Sequence, residues 1–308
     1  MYNTTKPYTN TILELIKNTW ETPYVSVKDG LVRKKFDFFE YHHSDGIGTK
    51  GIYHWKKRTF ENFVRDALAM GLNDLLLERA RAYAVIDHLL IPEDDYKAVI
   101  ETMKYLSEEC KKRDIAITGG ETAIHNNMIG LEISLTLLGF VEKPLQNKFR
   151  EGDVLIGLAS NGLHSNGFTK IREIFREEFR EDFIKPTFIY YDSLVDLIEE
   201  FDIHGMMHIT GGAFTKLRGL SEGNVKIKKY HNLKSHDIFQ EIYERGVSDE
   251  EMYKTFNCGI GFVLGIDRMD VDAFLSECFF SGDVIGEVVS GKGEIKIESI
   301  FSDKEVVF

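Results

Sequence analysis

Alternating apolar and polar positions predict half-buried strands in two stretches of the first half of the chain. GLEISLTLLGF (130–140) places its leucine and isoleucine residues on one face, and VRKKFDFFEY (32–41) shows the same alternation. The run CGIGFVLGI (258–266) predicts a further strand, and SGKG (290–293) predicts the turn of a late hairpin. Both halves of the chain are therefore expected to contain sheet.

Apolar residues at helical spacing predict helices between and after these strands. A helix over 59–80 can be capped by Thr59, and a helix over 94–112 carries one apolar stripe formed by Tyr96, Val99, Ile100, Met103, Leu106 and Cys110. Ser248 and Glu251 form a possible capping box for the last of the later helices. These later helices are predicted near 166–180, 187–201, 212–221, 235–246 and 248–256. The mixture predicts an α+β or α/β protein.

The chain changes character over VEKPLQNKFREGDVLIG (141–157), where a proline, a polar run and a Gly-Asp step separate two apolar strands. A chain of 308 residues is long enough for one large domain or two ordinary ones. We therefore predict two domains, 1–143 and 144–308.

Charge and cysteine content narrow the classes of partner. The net charge of −12 leaves no basic surface for a nucleic-acid backbone. Three cysteines, Cys110, Cys258 and Cys278, are odd in number and widely spaced, which is typical of reduced thiols in a cytoplasmic protein. The first residues lack the apolar region of a signal peptide, and the apolar runs are too short or too charged to span a membrane. We expect a cytoplasmic protein that acts on small molecules.

Four stretches place glycines beside polar residues at the edges of apolar elements, where a backbone can approach a ligand closely. A single glycine pair is more often a tight turn, and that interpretation stays open for each stretch. Four together favour a ligand site, and glycines before a helix present backbone amides to an anion. The stretches are SDGIGTK (44–50), ITGGETA (117–123), SNGLHSNGF (160–168) and HITGGAF (208–214).

Carboxylates lie in or near these stretches, where they would repel a bare phosphate. A hard cation resolves the conflict, because Mg²⁺ binds a few carboxylates together with phosphate oxygens and water. Asp45, Asp74 and Glu121 are the candidate ligands. Asp66 is interpreted as structural. Asp74 lies inside the apolar run LNDLLL, where a charged residue is uncommon unless it has a function.

In this order and spacing, SDGIGTK, LNDLLL, TGGETA, GDVLIGLASNGLHSNGF, HITGGAF and EMYKTFNCGIGF resemble the aminoimidazole ribonucleotide synthetase (PurM) family. The resemblance runs from about residue 44 to the end of the chain. It implies a homodimer in which the N-terminal domains pair their sheets into a shared barrel, each with a C-terminal α/β domain alongside. It also implies ATP-dependent ring closure of formylglycinamidine ribonucleotide to aminoimidazole ribonucleotide.

The resemblance further assigns roles to individual residues. Asp45, Asp74 and Glu121 handle metal and phosphate, and His164 contacts the transferred phosphoryl group or carries a proton. A satisfied loop histidine is an equally good interpretation of His164, and Lys50 is either a phosphate cation or a strand-edge lysine. The residues implied around the nucleotide are Asp45, Gly46, Gly48, Thr49, Lys50, Asn73, Gly119, Gly120, Thr122, Ser165, Asn166, Thr210, Gly211 and Gly212.

The chain departs from the family pattern in three places. The glycine-rich segment before the first motif is absent from residues 1–43, which leaves the cover over ATP undefined. Glu78–Arg81 and Ile124–Asn127 replace the usual residues near the substrate cleft.

The alternatives to this function are another enzyme of the superfamily, such as thiamine-monophosphate kinase or selenophosphate synthetase, and a nucleotide-binding paralogue without catalysis. Selenophosphate synthetase requires an N-terminal cysteine or selenocysteine, which this chain lacks before Cys110.

Overall fold

The protein is described by a computed structural model over residues 8–308, and it divides into two compact units. The first unit reaches Leu75 and resumes over Ala80–Lys143. The second contains Leu76–Arg79 and Pro144–Phe308. Each unit is built around its own sheet.

Over its described residues, the N-terminal unit combines a small hairpin, a four-stranded sheet and four helices. Its helices are α1 (Thr9–Lys17), α2 (Gly51–Lys57), α3 (Phe60–Leu77) and α4 (Tyr96–Lys112), with a 3₁₀ helix at Gly48–Lys50. Its strands are β1 (Val25–Lys28), β2 (Leu31–Lys34), β3 (Phe39–Gly46), β4 (Arg81–Ile91), β5 (Ala116–Ile124) and β6 (Glu132–Val141). Strands β1 and β2 form the hairpin.

The four-stranded sheet has the order β3-β6-β4-β5, so β3 and β5 are its two edges. Strands β4 and β5 are parallel and the other pairs are antiparallel. The predicted alternation of 130–140 is confirmed, because Ile133, Leu135 and Leu137 are fully buried while the residues between them are partly exposed. The opposite face of the sheet carries the exposed Ile86 and the half-buried Ser134.

One local prediction in this unit was wrong. The stretch 32–41 does not form one half-buried strand, since it is divided between the exposed β2 and the edge strand β3. The alternation of apolar and polar residues in this stretch does not show where one strand ends and the next begins. Thr59 precedes α3 as expected, and its hydroxyl also lies 2.7 Å from His54 Nδ1.

The C-terminal unit surrounds a seven-stranded sheet with helices. The helices are α5 (Phe168–Phe175), α6 (Tyr191–Glu200), α7 (Asp237–Glu244), α8 (Asp249–Thr255) and α9 (Val271–Glu277), with 3₁₀ helices at Glu181–Ile184 and Ala213–Leu220. The strands are β7 (Val154–Ala159), β8 (Ile203–His208), β9 (Asn224–Ile227), β10 (Ile260–Ile266), β11 (Gly282–Val289), β12 (Ile295–Glu298) and β13 (Glu305–Val307). Their order is β13-β12-β9-β11-β7-β10-β8.

The sheet order overturns the hairpin predicted at 290–293. Strand β9 lies between β11 and β12, antiparallel to β11 and parallel to β12, so SGKG connects strands that are not neighbours.

The cap predicted for α8 is present, because the Ser248 side chain accepts a hydrogen bond from the Glu251 amide. Both units thus mix helices with sheet. None of the helices within residues 8–308 has the length and apolarity needed to cross a bilayer.

Candidate functional site

Two carboxylates and a histidine meet at the β3 edge of the N-terminal sheet. His43 and Asp45 are two apart in β3 and therefore share a face, and α3 brings Asp74 to them. His43 Nε2 lies 3.5 Å from Asp74 Oδ2, and one ligand atom from each of the three residues falls within 4.8 Å of the others. Asp45 Oδ1 accepts a hydrogen bond of 2.7 Å from the Gly46 amide. The structure brings together two of the three predicted metal ligands.

This donor set fits a magnesium ion through its oxygens. Mg²⁺ takes one or two carboxylates and keeps several waters, whereas imidazole is a ligand of zinc, copper and iron. Asp45 and Asp74 are thus the residues that would hold the ion, and His43 is placed to orient Asp74. The sequence reasoning missed His43, although its spacing of two residues from Asp45 in a strand was visible.

Glu121 does not join this group within the described chain. It lies in β5, the opposite edge of the sheet from β3, and its register partner in β4 is His88. The order of the strands places β6 and β4 between Asp45 and Glu121. Adjacent strands are about 4.8 Å apart, so two intervening strands separate these edges by roughly 14 Å. The three carboxylates predicted as one metal set occupy two places in one chain.

The position of the Lys50 side chain does not favour the predicted contact with phosphate. The 3₁₀ helix turns its side chain into the core, where Nζ donates a hydrogen bond of 2.8 Å to Asp66 and is fully buried. His54 Nε2 lies 2.9 Å from the same carboxylate. Burial alone would raise the pKa of Asp66, but the Lys50 charge and the His54 hydrogen bond outweigh it and hold that pKa well below its usual range. The structural interpretation of Asp66 is supported.

Several predicted nucleotide contacts of the first motifs have structural explanations of their own. A Cβ on Gly46 would lie 2.8 Å from the Ile133 carbonyl oxygen, so glycine is needed there for the approach of β3 to β6. Gly48 has a φ of +55° and begins the short helix that contains Thr49. Asn73 is fully buried in α3, whereas its neighbour Asp74 is half-buried.

A cavity of about 510 Å³ lies in the N-terminal unit, between α1 and the β5 edge. The predicted ligand residues Gly119, Gly120 and Thr122 line it together with Glu121. Its apolar wall is formed by residues of α1, α4 and the turn after α1: Ile12, Ile16, Trp20 and Met103. All five residues of the TGGET stretch therefore line one cavity.

Hydrogen bonds attach α1 and the following turn to the rest of this unit. Trp20 Nε1 donates to the Ile117 carbonyl oxygen at 2.8 Å, and the Ile117 amide donates to Thr19 Oγ1 at 3.0 Å. Ser107 Oγ in α4 donates to the Leu15 carbonyl oxygen at 2.6 Å. The segment that departs from the family pattern therefore supplies one wall of the cavity.

The two glycine stretches of the C-terminal unit lie side by side. Gly167 and Gly212 have φ angles of +73° and +81° and precede α5 and the 3₁₀ helix Ala213–Leu220. A Cβ on Gly211 would lie 3.5 Å from Asn166 Oδ1, which shows how closely the loops approach. Ser165 Oγ is 3.0 Å from Thr187 Oγ1 and Thr210 Oγ1 accepts from Lys216 Nζ at 2.9 Å. The predicted Ser165, Asn166, Thr210, Gly211 and Gly212 form one neighbourhood.

His164 is enclosed beneath these loops. Its side chain is only 1% exposed, and its ring lies about 6 Å from those of Tyr190 and His208. Nε2 accepts a hydrogen bond of 3.2 Å from the Asn161 amide, and the residue has a φ of +59°. A Cβ on Gly261 would lie 2.5 Å from His164 Cε1, so a glycine accommodates the ring. This geometry favours the loop-organising interpretation, and the contact of His164 with the phosphoryl group stays a prediction.

One of the divergent segments also has a defined role. Arg79, in the replaced stretch Glu78–Arg81, has a φ of +56°, and its Nη2 donates to the Ile203 carbonyl oxygen at 2.5 Å. Its guanidinium therefore contacts β8 of the C-terminal unit.

Comparison with known proteins shows which family the sequence of this chain resembles. Residues 40–141 match the family model described as AIR synthase related protein, N-terminal domain, and residues 150–298 match the corresponding C-terminal domain. The chain is 34% identical over 272 residues to a phosphoribosylformylglycinamidine cyclo-ligase of Thermococcus kodakarensis, covering 82% of this chain and 80% of that protein. It is 36% identical over 262 residues to one of Clostridium perfringens, covering 80% and 79%.

A solved structure shares the fold at much lower sequence similarity. The hydrogenase maturation protein HypE in complex with ATP superposes with a TM-score of 0.70 at 13% identity, covering 99% of this chain and 95% of that one. The similarity shows that the fold, with its mixed α/β units, recurs in that protein.

Proposed function

Because the chain belongs to the AIR synthase related family, we propose that it catalyses the ATP-dependent ring closure of formylglycinamidine ribonucleotide to aminoimidazole ribonucleotide, with release of ADP and phosphate. The observation that carries the proposal is the similarity to cyclo-ligases at 34–36% identity across four fifths of both chains. The protein is accordingly a ligase of purine biosynthesis.

Ring closure requires the formyl oxygen of the substrate, an amide oxygen, to leave. Transfer of the γ-phosphoryl group of ATP to the formyl oxygen gives an iminophosphate and ADP. The amidine nitrogen then attacks the same carbon, and the carbon–oxygen bond breaks to release inorganic phosphate. The protein's contribution is to position the reactants and to offset the charge on the phosphates.

Asp45 and Asp74 would hold the magnesium ion, which supplies charge neutralisation to the phosphates of ATP. Their half-buried position limits competition from water while leaving room for phosphate oxygens. His43 Nε2, 3.5 Å from the Asp74 carboxylate, would orient it. In the C-terminal unit, Ser165, Asn166 and Gly211 present a polar loop surface to the substrate, and His164 positions that surface from below.

The cavity between α1 and β5 suits the base of ATP. Its wall includes Trp20 and Met103, which offer an aromatic face and a polarisable thioether to a flat ring. Gly119 and Gly120 let the backbone approach the ligand. In this proposal α1 supplies the cover over ATP that the missing glycine-rich segment provides elsewhere in the family.

A homodimer would reunite the separated carboxylates. Closing two four-stranded sheets into one eight-stranded barrel places the β3 edge of each sheet beside the β5 edge of the other. Glu121 of one copy would then lie near Asp45 and Asp74 of the second copy. The apolar face of β6 is already buried within one unit, so the support for this assembly comes from the two sheet edges. Light scattering should show a dimer at micromolar concentration, and a monomer would exclude the shared site.

A coupled assay of ADP release tests the reaction. With Mg²⁺-ATP and formylglycinamidine ribonucleotide, ADP, phosphate and aminoimidazole ribonucleotide should form in equal amounts, and EDTA should abolish turnover. Thiamine monophosphate is the matched control substrate, because a kinase of the same fold would consume ATP with it and release no phosphate. Nucleotide binding without turnover on either substrate would instead indicate a non-catalytic paralogue.

A further inference from the structure

A cavity of about 230 Å³ in the C-terminal unit is not used by the proposed reaction. Its walls are formed by Arg79, by residues of the segment 145–150 before β7 and by Asp202–His204 at the start of β8. All of these residues belong to the C-terminal unit. The cavity is therefore a feature of that unit by itself.

This cavity lies at the opposite end of the sheet from the glycine stretches. Strands β7 and β8 are both antiparallel to β10, so they run in the same direction. The cavity lies where they begin, whereas the stretches 160–168 and 208–214 follow where they end. A strand of six residues spans roughly 17–20 Å. A ligand in this cavity would therefore not overlap with a substrate placed at those loops.

The lining of the cavity is positively charged. Arg79, Lys148 and Arg150 line it, and among the described residues around it the one acid is Asp202. Lys148 pairs with Glu222, but that carboxylate is 88% exposed and lies outside the lining, so water screens the pair. Three cations against one acid are conspicuous in a protein with a net charge of −12. This lining favours an anionic ligand.

Buried groups hold the Arg150 guanidinium at the cavity. Its Nη1 lies 2.6 Å from His204 Nε2, and because a guanidinium can only donate, Nε2 accepts. His204 Nδ1 therefore carries the hydrogen that it donates to Asp153 Oδ1 at 2.7 Å. Asp153 Oδ2 also accepts from the Arg150 amide at 2.8 Å. Asp153 and His204 are 1% and 4% exposed, so this arginine is positioned from within the core.

Arg79 is fixed at the neighbouring residue of the same strand. Its Nη2 donates to the carbonyl oxygen of Ile203, next to His204 in β8. Each guanidinium has five N–H donors in a planar fork, so both arginines keep N–H groups after these contacts. Paired oxygens of a phosphate group match such a fork. The two guanidiniums are thus preorganised for an oxyanion.

We propose that this cavity binds a phosphate dianion that also carries a hydrogen-bond donor. The donor is required because Asp202 lines the cavity, with its Oδ2 3.4 Å from Arg150 Nη1, and a carboxylate repels an anion that offers it no hydrogen. Hydrogen phosphate has such a hydrogen, and a sugar phosphate has hydroxyl groups. Sulfate has the same charge and a similar shape but no hydrogen. The volume of the cavity suits a ligand of this small size.

Calorimetric titration of inorganic phosphate, ribose 5-phosphate and sulfate tests this proposal. The ionic strength is held constant with sodium chloride, and a pH of about 8 keeps the phosphate groups dianionic. The proteins are the parent, Arg150→Gln, Asp202→Asn and the control Arg33→Gln. The Arg150 and Asp202 side chains are 62% and 65% exposed, so their replacement spares the core. Arg33 is exposed on β2 of the N-terminal unit, and its replacement removes the same charge.

The parent and Arg33→Gln should bind phosphate at least about 10-fold more tightly than sulfate, because sulfate leaves Asp202 without a hydrogen bond. Arg150→Gln should bind phosphate about 10- to 100-fold more weakly than the parent, the range for a lost hydrogen bond between charged groups. Asp202→Asn should bind sulfate about as tightly as phosphate. Tighter binding of ribose 5-phosphate than of phosphate identifies a sugar phosphate as the ligand, and equal binding identifies free phosphate.

Unchanged phosphate affinity in Arg150→Gln overturns the proposal, because phosphate then binds elsewhere. Equal affinities of the parent for phosphate and sulfate overturn it as well. If Arg150→Gln does not fold, persistence of the phosphate preference in Asp202→Asn overturns it instead. The rate of ADP release with the proposed substrate should be the same in Arg150→Gln and in the parent. A fall in that rate would assign Arg150 to the reaction and overturn the separate site.

Discussion

Asp66 and Asp87 are both buried carboxyl groups of the N-terminal unit, yet their surroundings are opposite. Asp66, on α3, is held by Lys50 Nζ at 2.8 Å and by His54 Nε2 at 2.9 Å. Asp87, on β4, has only its own backbone amide and the nearby charge of Glu121. Lys50 and His54 hold the pKa of Asp66 well below its usual range despite its burial, whereas burial raises the pKa of Asp87 to about 7.

The comparison shows that burial alone does not decide what an acidic residue does. The cost of enclosing Asp66 is offset inside the fold by a cation and a histidine, so the group is ionised and structural. The cost of enclosing Asp87 is not offset by any described residue, so the group titrates near neutrality and faces a cavity. An acid without a partner is the better marker of a ligand site.

Removal of the lysine should produce the largest effect on stability. Lys50→Met leaves the Asp66 carboxylate buried without its cation, and we expect the free energy of unfolding to fall by about 3–5 kcal/mol. Lys56→Met is the control, since Lys56 is exposed on α2 and its loss should change stability by less than about 0.5 kcal/mol. Urea denaturation measures both. Equal stability of the two variants would mean that Asp66 does not depend on Lys50.

The second prediction concerns Asp87 and pH. Its folded pKa of about 7 lies above the usual value near 3.9, so its contribution to stability is fully present below pH 4 and is lost as pH rises to 7. Asp87→Asn does not titrate. The variant should therefore gain stability relative to the parent between pH 4 and 7, by at most about 4 kcal/mol.

Urea denaturation of parent and variant across this range gives the difference directly, and the titration of His54 cancels because both proteins contain it. Asp114→Asn, a change at an exposed residue after α4, is the control and should show no such trend. A difference between parent and Asp87→Asn that does not vary with pH would show that Asp87 is ionised in the fold.

Asp74 extends the comparison to a half-buried carboxylate with a histidine beside it. Asp74→Asn keeps the shape of the side chain but removes a charge from the metal ligands. The Mg²⁺ concentration needed for half-maximal ADP formation should rise about 10- to 100-fold. Glu61→Gln, at the exposed start of the same helix, serves as the control. An unchanged Mg²⁺ requirement in Asp74→Asn would remove this residue from the metal site.

The sequence predicted some of these roles and could not predict others. Asp66 was interpreted as structural and Asp74 as functional, because an acid inside an apolar run of helix is conspicuous. Asp87 was missed, since AVIDHLL resembles any buried strand until the register with Gly120 is known. The motif around Lys50 does not show that the 3₁₀ helix turns this side chain toward Asp66.

Long-range pairing limited the prediction of the fold in the same way. Alternation identified β6 and its buried face, but it could not show that β2 and β3 belong to different sheets. The SGKG turn was taken for a hairpin because local patterns do not reveal that β9 inserts between β11 and β12. The separation of Asp45 from Glu121 is likewise a property of strand order.

The fate of the formyl oxygen tests the proposed reaction most directly. If ATP activates the amide by phosphorylating that oxygen, substrate labelled with ¹⁸O in the formyl group should deliver its label to the released phosphate. Mass spectrometry of the phosphate after a single turnover measures the transfer. The proposed mechanism predicts one labelled oxygen in each phosphate released, and unlabelled phosphate with the label in water would contradict it.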